Sequence, residues 1–188
     1  MRAQATEFSW QNPYAWPRKP LLAANTVSTT QPLAAQAGLQ MLAEGGTAVD
    51  AILATAITLS LVEPVSNGIG SDAYAIVWDG KRLHGLNASG RSPALWTLEH
   101  FSKYKSMPTR GWDTVTVPGC VQAWVDLHAK FGKLPFSRDL APAIAFADEG
   151  FPLSPVIASD WARGAERNKD KPGFAAVFMP GGHAPAEG

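Results

Sequence analysis

A chain of 188 residues, 46% of them hydrophobic, is long enough to bury a core of its own, and its 16 Lys and Arg are balanced by 16 Asp and Glu. With no basic patch or run, the sequence argues against nucleic acid as a partner and against electrostatic attachment to a membrane. A single cysteine, Cys120, excludes an internal disulfide and fits a reducing compartment.

Residues 1–20, MRAQATEFSWQNPYAWPRKP, are rich in aromatics and prolines and contain no apolar h-region. They predict an extended arm packed on the body, no secretory signal and a cytoplasmic location. Leu21 to Val27 predicts a first short strand. Pro32 suits a first helical turn, Leu33, Ala34, Ala37, Met41 and Leu42 share a face, and Gly45-Gly46 ends that helix. From Val49 to Val62 the residues are almost all apolar or small, and Asp50 is the single charge. These 14 residues are too few to span a bilayer, so they predict a core helix, which Pro64 stops.

Val65 to Asp72 is a glycine-rich turn. Ala73 to Trp78 alternates as a strand, Asp79-Gly80 is a two-residue hairpin signal, and Lys81 to Asn87 returns. If the strand continues through Gly90, Ser89 and Arg91 share a face, and the glycine between them lets a small anionic ligand approach the backbone. A short helix follows over Trp96 to Tyr104, capped by Thr97, with Leu98 and Phe101 facing inward. Asp113 to Val117 reads as a strand of alternating β-branched residues. An amphipathic helix runs from Cys120 to Phe131 through Val121, Trp124, Val125 and Leu127. Ser137 caps another over Arg138 to Glu149, with Pro142 in its first turns and Leu140, Ile144, Phe146 and Ala147 inward. Val156 to Arg167 predicts a further helix. Lys171 to Gly188 reads as a proline- and glycine-rich loop that leads elsewhere, so the expectation is a piece of a longer precursor.

The chemistry-bearing residues are few. His84, His100, His128 and His183 lack metal-ligand spacing and read as surface or structural histidines, so no metal centre is expected. Cys120, without a catalytic partner, reads as a small apolar residue opening a helix. Ser89 lies in Asn-Ala-Ser-Gly after a hairpin strand, which is not the elbow of a serine hydrolase. The run Asn67 to Asp72 leads from a helix into a strand, the reverse of a phosphate-binding loop. It either lines a pocket or lets helix and strand pack closely. Arg91 is the main substrate-binding candidate, because a guanidinium beside a glycine and the Ser89 hydroxyl suits a carboxylate. The competing reading is a strand-end arginine in a surface ion pair.

The run from Gly45 to Pro93, with Gln31-Pro32-Leu33-Ala34 and Val117-Pro118-Gly119, resembles the large-subunit half of the γ-glutamyltranspeptidases, members of the N-terminal-nucleophile hydrolase superfamily. The resemblance covers roughly residues 22–188. It implies an α+β fold, the N-terminal part of an αββα four-layer sandwich, with residues 21–188 an incomplete large-subunit domain. It implies a transferase or hydrolase of γ-glutamyl amides such as glutathione, whose N-terminal threonine is exposed by self-cleavage and lies on a small subunit outside this chain. No residue here is then catalytic, and no metal or organic cofactor is needed. The implied partners are a small-molecule amide substrate and the remainder of the precursor, with room for a higher oligomer. Aligned on Asn87-Ala88 and Pro93, the family's carboxylate-binding arginine falls on Ser89 and its acidic neighbour on Gly90, while Arg91 lies two positions later. An amidohydrolase for another amide, of oxamate or acyl-cephalosporin type, is therefore the alternative, and a non-catalytic scaffold the second.

Overall fold

A computed structural model describes residues 22–188. The expected arm lies outside the described residues. The chain forms helices α1 (Pro32–Ala43) and α2 (Ala48–Val62), strands β1 (Ala73–Trp78) and β2 (Leu83–Ala88), and helices α3 (Leu98–Phe101), α4 (Cys120–Phe131), α5 (Phe136–Glu149), α6 (Pro155–Asn168) and α7 (Phe174–Phe178).

Helix α2 is the axis of the molecule. Small residues on one side let α1 approach closely: Ala37 and Met41 pack against Ala51 and Ala54, and a Cβ on Gly38 would lie 2.3 Å from Thr55 Oγ1. On the other side Val49, Leu53 and Ile57 meet Cys120, Trp124 and Leu127 of α4, with Leu140 and Ala143 of α5 packed alongside. The antiparallel hairpin runs in register from Ala73 opposite Ala88 to Trp78 opposite Leu83. Its inner residues Ala73, Ala75, Val77 and Leu86 cover this second core. Its outer residues Tyr74, Ile76, Trp78 and Leu83 are 62–76% exposed.

The buried charge of α2 is part of the fold. Asp50 is 0% exposed and closes a capping box with Thr47, which holds the first turn of the helix. The same carboxylate accepts the backbone N–H groups of Lys133 at 2.9 Å and Leu134 at 3.2 Å, so it fastens the α4–α5 connection to the start of α2. Burial opposes ionisation, but the donors from Thr47, Lys133 and Leu134 outweigh it and hold the carboxyl below its ordinary range.

Several expectations are corrected. No strand forms over residues 22–27. Asp113 to Val117 does not form a strand either: Trp112–Thr114 is a 3-10 turn, and Val117 N–H makes a single bond to the Arg91 carbonyl, so β-branched alternation there has no ladder to join. Thr97 caps α3 as expected, yet the helix is one turn and Leu98 is 95% exposed. Helix α5 starts at Phe136 after an extended Pro135 and has no side-chain cap, so Ser137 lies inside it. Pro142 sits in the second turn, where its missing donor leaves the Arg138 carbonyl free of an intrahelical partner. Val121, Val125 and Ile144 face solvent. The loop from Lys171 contains α7 and a 3-10 turn at Pro180–Gly182.

Asp50→Ala strands the donors of Thr47, Lys133 and Leu134 in a buried junction. It should cost about 3–5 kcal/mol in chemical denaturation, whereas Asp50→Asn, which keeps one acceptor oxygen, should cost less.

Candidate functional site

Three loops meet at the end of the hairpin nearest the start of α4. Cys120 N–H donates to the Ser71 carbonyl at 3.0 Å and its thiol to the Ile69 carbonyl at 3.0 Å, which pins the glycine-rich turn to the start of α4. The cysteine is buried, and its role is this attachment together with core packing. Val117 N–H donates to the Arg91 carbonyl at 3.0 Å, and the Thr116 hydroxyl donates to the Ser89 carbonyl at 3.0 Å. The segment after β2 is thereby held along residues 115–119.

Two glycines make this approach possible. Gly90 has φ +76°, and a Cβ there would lie 1.8 Å from the Val117 carbonyl oxygen. A Cβ on Gly119 would lie 2.2 Å from the Ala88 carbonyl oxygen. The backbones are in van der Waals contact where any side chain would separate them. Gly68 and Gly70 behave differently, because a Cβ on either meets nothing within 4 Å. Close packing of helix and strand therefore does not account for them.

Ser89 and Arg91 both lie in this junction, but not in the way the alternation predicted. Strand β2 ends at Ala88, and the left-handed backbone of Gly90 breaks the period of two between them. Ser89 is half-buried, with its N–H held by Asn87 Oδ1 at 3.1 Å. Arg91 is exposed, and its guanidinium forms no ion pair among the described residues, so the surface ion pair expected of a strand-end arginine is not made there. Asp72, at the foot of β1, approaches the same junction, with its Oδ1 3.5 Å from the Thr116 hydroxyl. Nothing in the local pattern singled it out.

The histidines fall mostly where expected. His84 pairs with Asp79 and His100 with Asp113, each at 2.7 Å on the surface. His128 is the exception. Its Nε2 lies 2.8 Å from the Leu134 carbonyl and 4.0 Å from Oδ2 of Asp139, a residue of α5 that is 0% exposed. Burial, and after it the charge of Asp50, push the Asp139 carboxyl up to about 6, with His128 pulling the other way. Sequence spacing missed this group because its members come from three helices. Its one local signal is that Asp139 falls on the face of α5 shared with Ala143 and Phe146.

The chain's relationships bear on its family and fold. The family model described as Gamma-glutamyltranspeptidase matches residues 34–188. The chain belongs to the γ-glutamyltranspeptidase family. It is 34% identical over 166 residues to the oxamate amidohydrolase proenzyme of Klebsiella pneumoniae subsp. pneumoniae, covering 83% of this chain and 31% of that protein. It superposes on the crystal structure of cephalosporin acylase from Bacillus halodurans with TM-score 0.82 at 42% identity, covering 97% of this chain and 36% of the other. It superposes on Helicobacter pylori γ-glutamyltranspeptidase with TM-score 0.82 at 25% identity, covering 92% and 51%. The fold is thus α+β and is part of the N-terminal-nucleophile hydrolase architecture of this family. The chain spans about a third of the length of the Klebsiella relative.

Gly90→Ala combines a positive φ with a backbone collision. It should lower stability by about 2 kcal/mol or more, while Ser89→Ala in the same turn should stay within about 1 kcal/mol, both measured by thermal or chemical unfolding.

Proposed function

We propose that this chain is part of an amide hydrolase or acyltransferase of γ-glutamyltranspeptidase type whose substrate carries a carboxylate on its acyl group. The observation that carries this reading is Arg91: an exposed guanidinium without an ion-pair partner among the described residues, on a turn fixed by Gly90, Thr116 and Val117. A planar cation held in place by its backbone suits bidentate recognition of a carboxylate, and the half-buried Ser89 beside it suits a second polar contact.

The reaction in this reading is acyl transfer. The hydroxyl of an N-terminal threonine outside this chain attacks the amide carbonyl, with the threonine's own amine taking the proton. The amide C–N bond breaks, the amine departs with that proton, and the resulting ester is cleaved by water or by a second amine. An oxyanion hole on the remainder of the protein stabilises the tetrahedral species. No residue of this chain enters the covalent steps.

Relatives named for oxamate, for a cephalosporin and for a γ-glutamyl group differ in the amide they are named for. The serine at the position aligned with the family's arginine favours an acyl group other than a full γ-glutamyl headgroup, with γ-glutamyl amides such as glutathione as the second reading. The remainder of the precursor is the proposed partner. What supports this is the outer face of the hairpin, where Tyr74, Ile76, Trp78 and Leu83 lie exposed beside unpaired strand edges.

In the complete gene product, Arg91→Ala should lower kcat/KM about 30- to 100-fold for carboxylate-bearing amides, matching the loss of a charge-assisted pair. The same variant should act nearly as wild type on an analogue whose carboxylate is esterified. Equal kcat/KM for wild type and variant on oxamate, glutaryl and γ-glutamyl amides removes Arg91 from the site.

A further inference from the structure

Where α2 begins, α4 ends and α5 begins, Asp50, His128 and Asp139 each offer an atom within 4.8 Å of the others. Both carboxylates are 0% exposed. They are not equivalent. Asp50 is saturated by the N–H groups of Thr47, Lys133 and Leu134 and by the Thr47 hydroxyl. Asp139 has no hydrogen-bond partner on either oxygen among the described residues. A buried carboxylate left in this state is among the costliest arrangements a core can hold.

Three things can relieve it. A proton on Asp139 cancels the charge and leaves a buried hydroxyl without an acceptor. An imidazolium at His128 stands 4.0 Å from Oδ2, beyond hydrogen-bond length, while the same Nε2 is engaged by the Leu134 carbonyl at 2.8 Å. A dication balances both carboxylates at once and gives the two free oxygens of Asp139 a partner.

We propose that Asp139, His128 and the Leu134 carbonyl form a structural site for a divalent cation, with the saturated Asp50 carboxylate beside it contributing charge and no ligand atom. Asp139 supplies the free oxygens, and His128 supplies Nε2 once that nitrogen gives up its bond to Leu134. The Leu134 carbonyl, being adjacent, becomes a further oxygen donor. A carboxylate and a carbonyl with one imidazole suit an oxygen-preferring ion that tolerates nitrogen. Mn2+ is the expected occupant. The ion clamps α4 to α5 where the Asp50 bonds already converge, so its effect is on stability and not on the reacting atoms.

The test uses the complete gene product stripped with EDTA and re-equilibrated with Mn2+, read by metal content and by unfolding temperature. Wild type should retain about one Mn2+ per chain and gain at least about 4 °C in Tm. Asp139→Asn removes the unpartnered charge, so it should fold without metal, bind no Mn2+ and show no Tm response; His128→Gln should weaken binding at least tenfold. Absence of bound Mn2+ and of any Tm shift in wild type overturns the proposal. So does Asp139→Asn binding Mn2+ as wild type does.

Discussion

The structure depends on one carboxylate placed where apolar residues dominate. Asp50 enters an otherwise uncharged helix, and it is tolerated because backbone donors from two separate segments converge on it. The charge stabilises the N-terminus of α2, where the helix dipole favours it, and simultaneously satisfies two backbone amides of the part-buried α4–α5 connection. The contact is between residues 83 and 84 positions apart, so it fixes the long-range packing of α4 and α5 and not merely a helix end. Without it, the Thr47 hydroxyl on the Phe131 carbonyl and the exposed Arg138–Glu44 pair are left to set how α4 and α5 sit against the start of α2.

From this anchor the candidate site follows mechanically. Helix α4 starts at Cys120 because its other end is held at Phe131, next to the amides that Asp50 binds. The start of α4 then presents Gly119 to the Ala88 carbonyl and Val117 to Gly90, where only glycines permit contact. Arg91 is therefore positioned by backbone, through a chain of contacts that runs from a buried charge to an exposed one. A side chain set on such a turn has its backbone already ordered, while its own rotamer freedom is still to be lost on any contact it makes.

Much of this was legible in the residues themselves. Helices α1, α2, α4 and α6 and the hairpin were readable because their apolar spacing, caps and turn residues agree at every level. Illegible features were those decided by partners distant in sequence. The β-branched run at Val115 looks like a strand, but among the described residues no neighbour pairs with it along its length. Gly90 looked like a strand interior because nothing local reveals that a carbonyl from residue 117 occupies the space where its Cβ would sit. Asp139 drew no reading from the sequence, because it is the packing of α5 against α2 that removes its water.

The displacement of the arginine relative to the family pattern is altered by the same turn. In an extended chain, two positions carry a side chain about 6–7 Å further along the strand. Gly90 is not extended, so Arg91 does not travel that distance in a straight line, and the reach of its own side chain is comparable with the shift. On the proposed reading, its cationic head meets the same ligand from a different angle. In that reading, the small side chain at position 89 leaves space in the junction where the Thr116 hydroxyl holds the Ser89 carbonyl. Ligand choice, on the proposed reading, turns on the shape and polarity of that space, with the charge supplied from two residues further on.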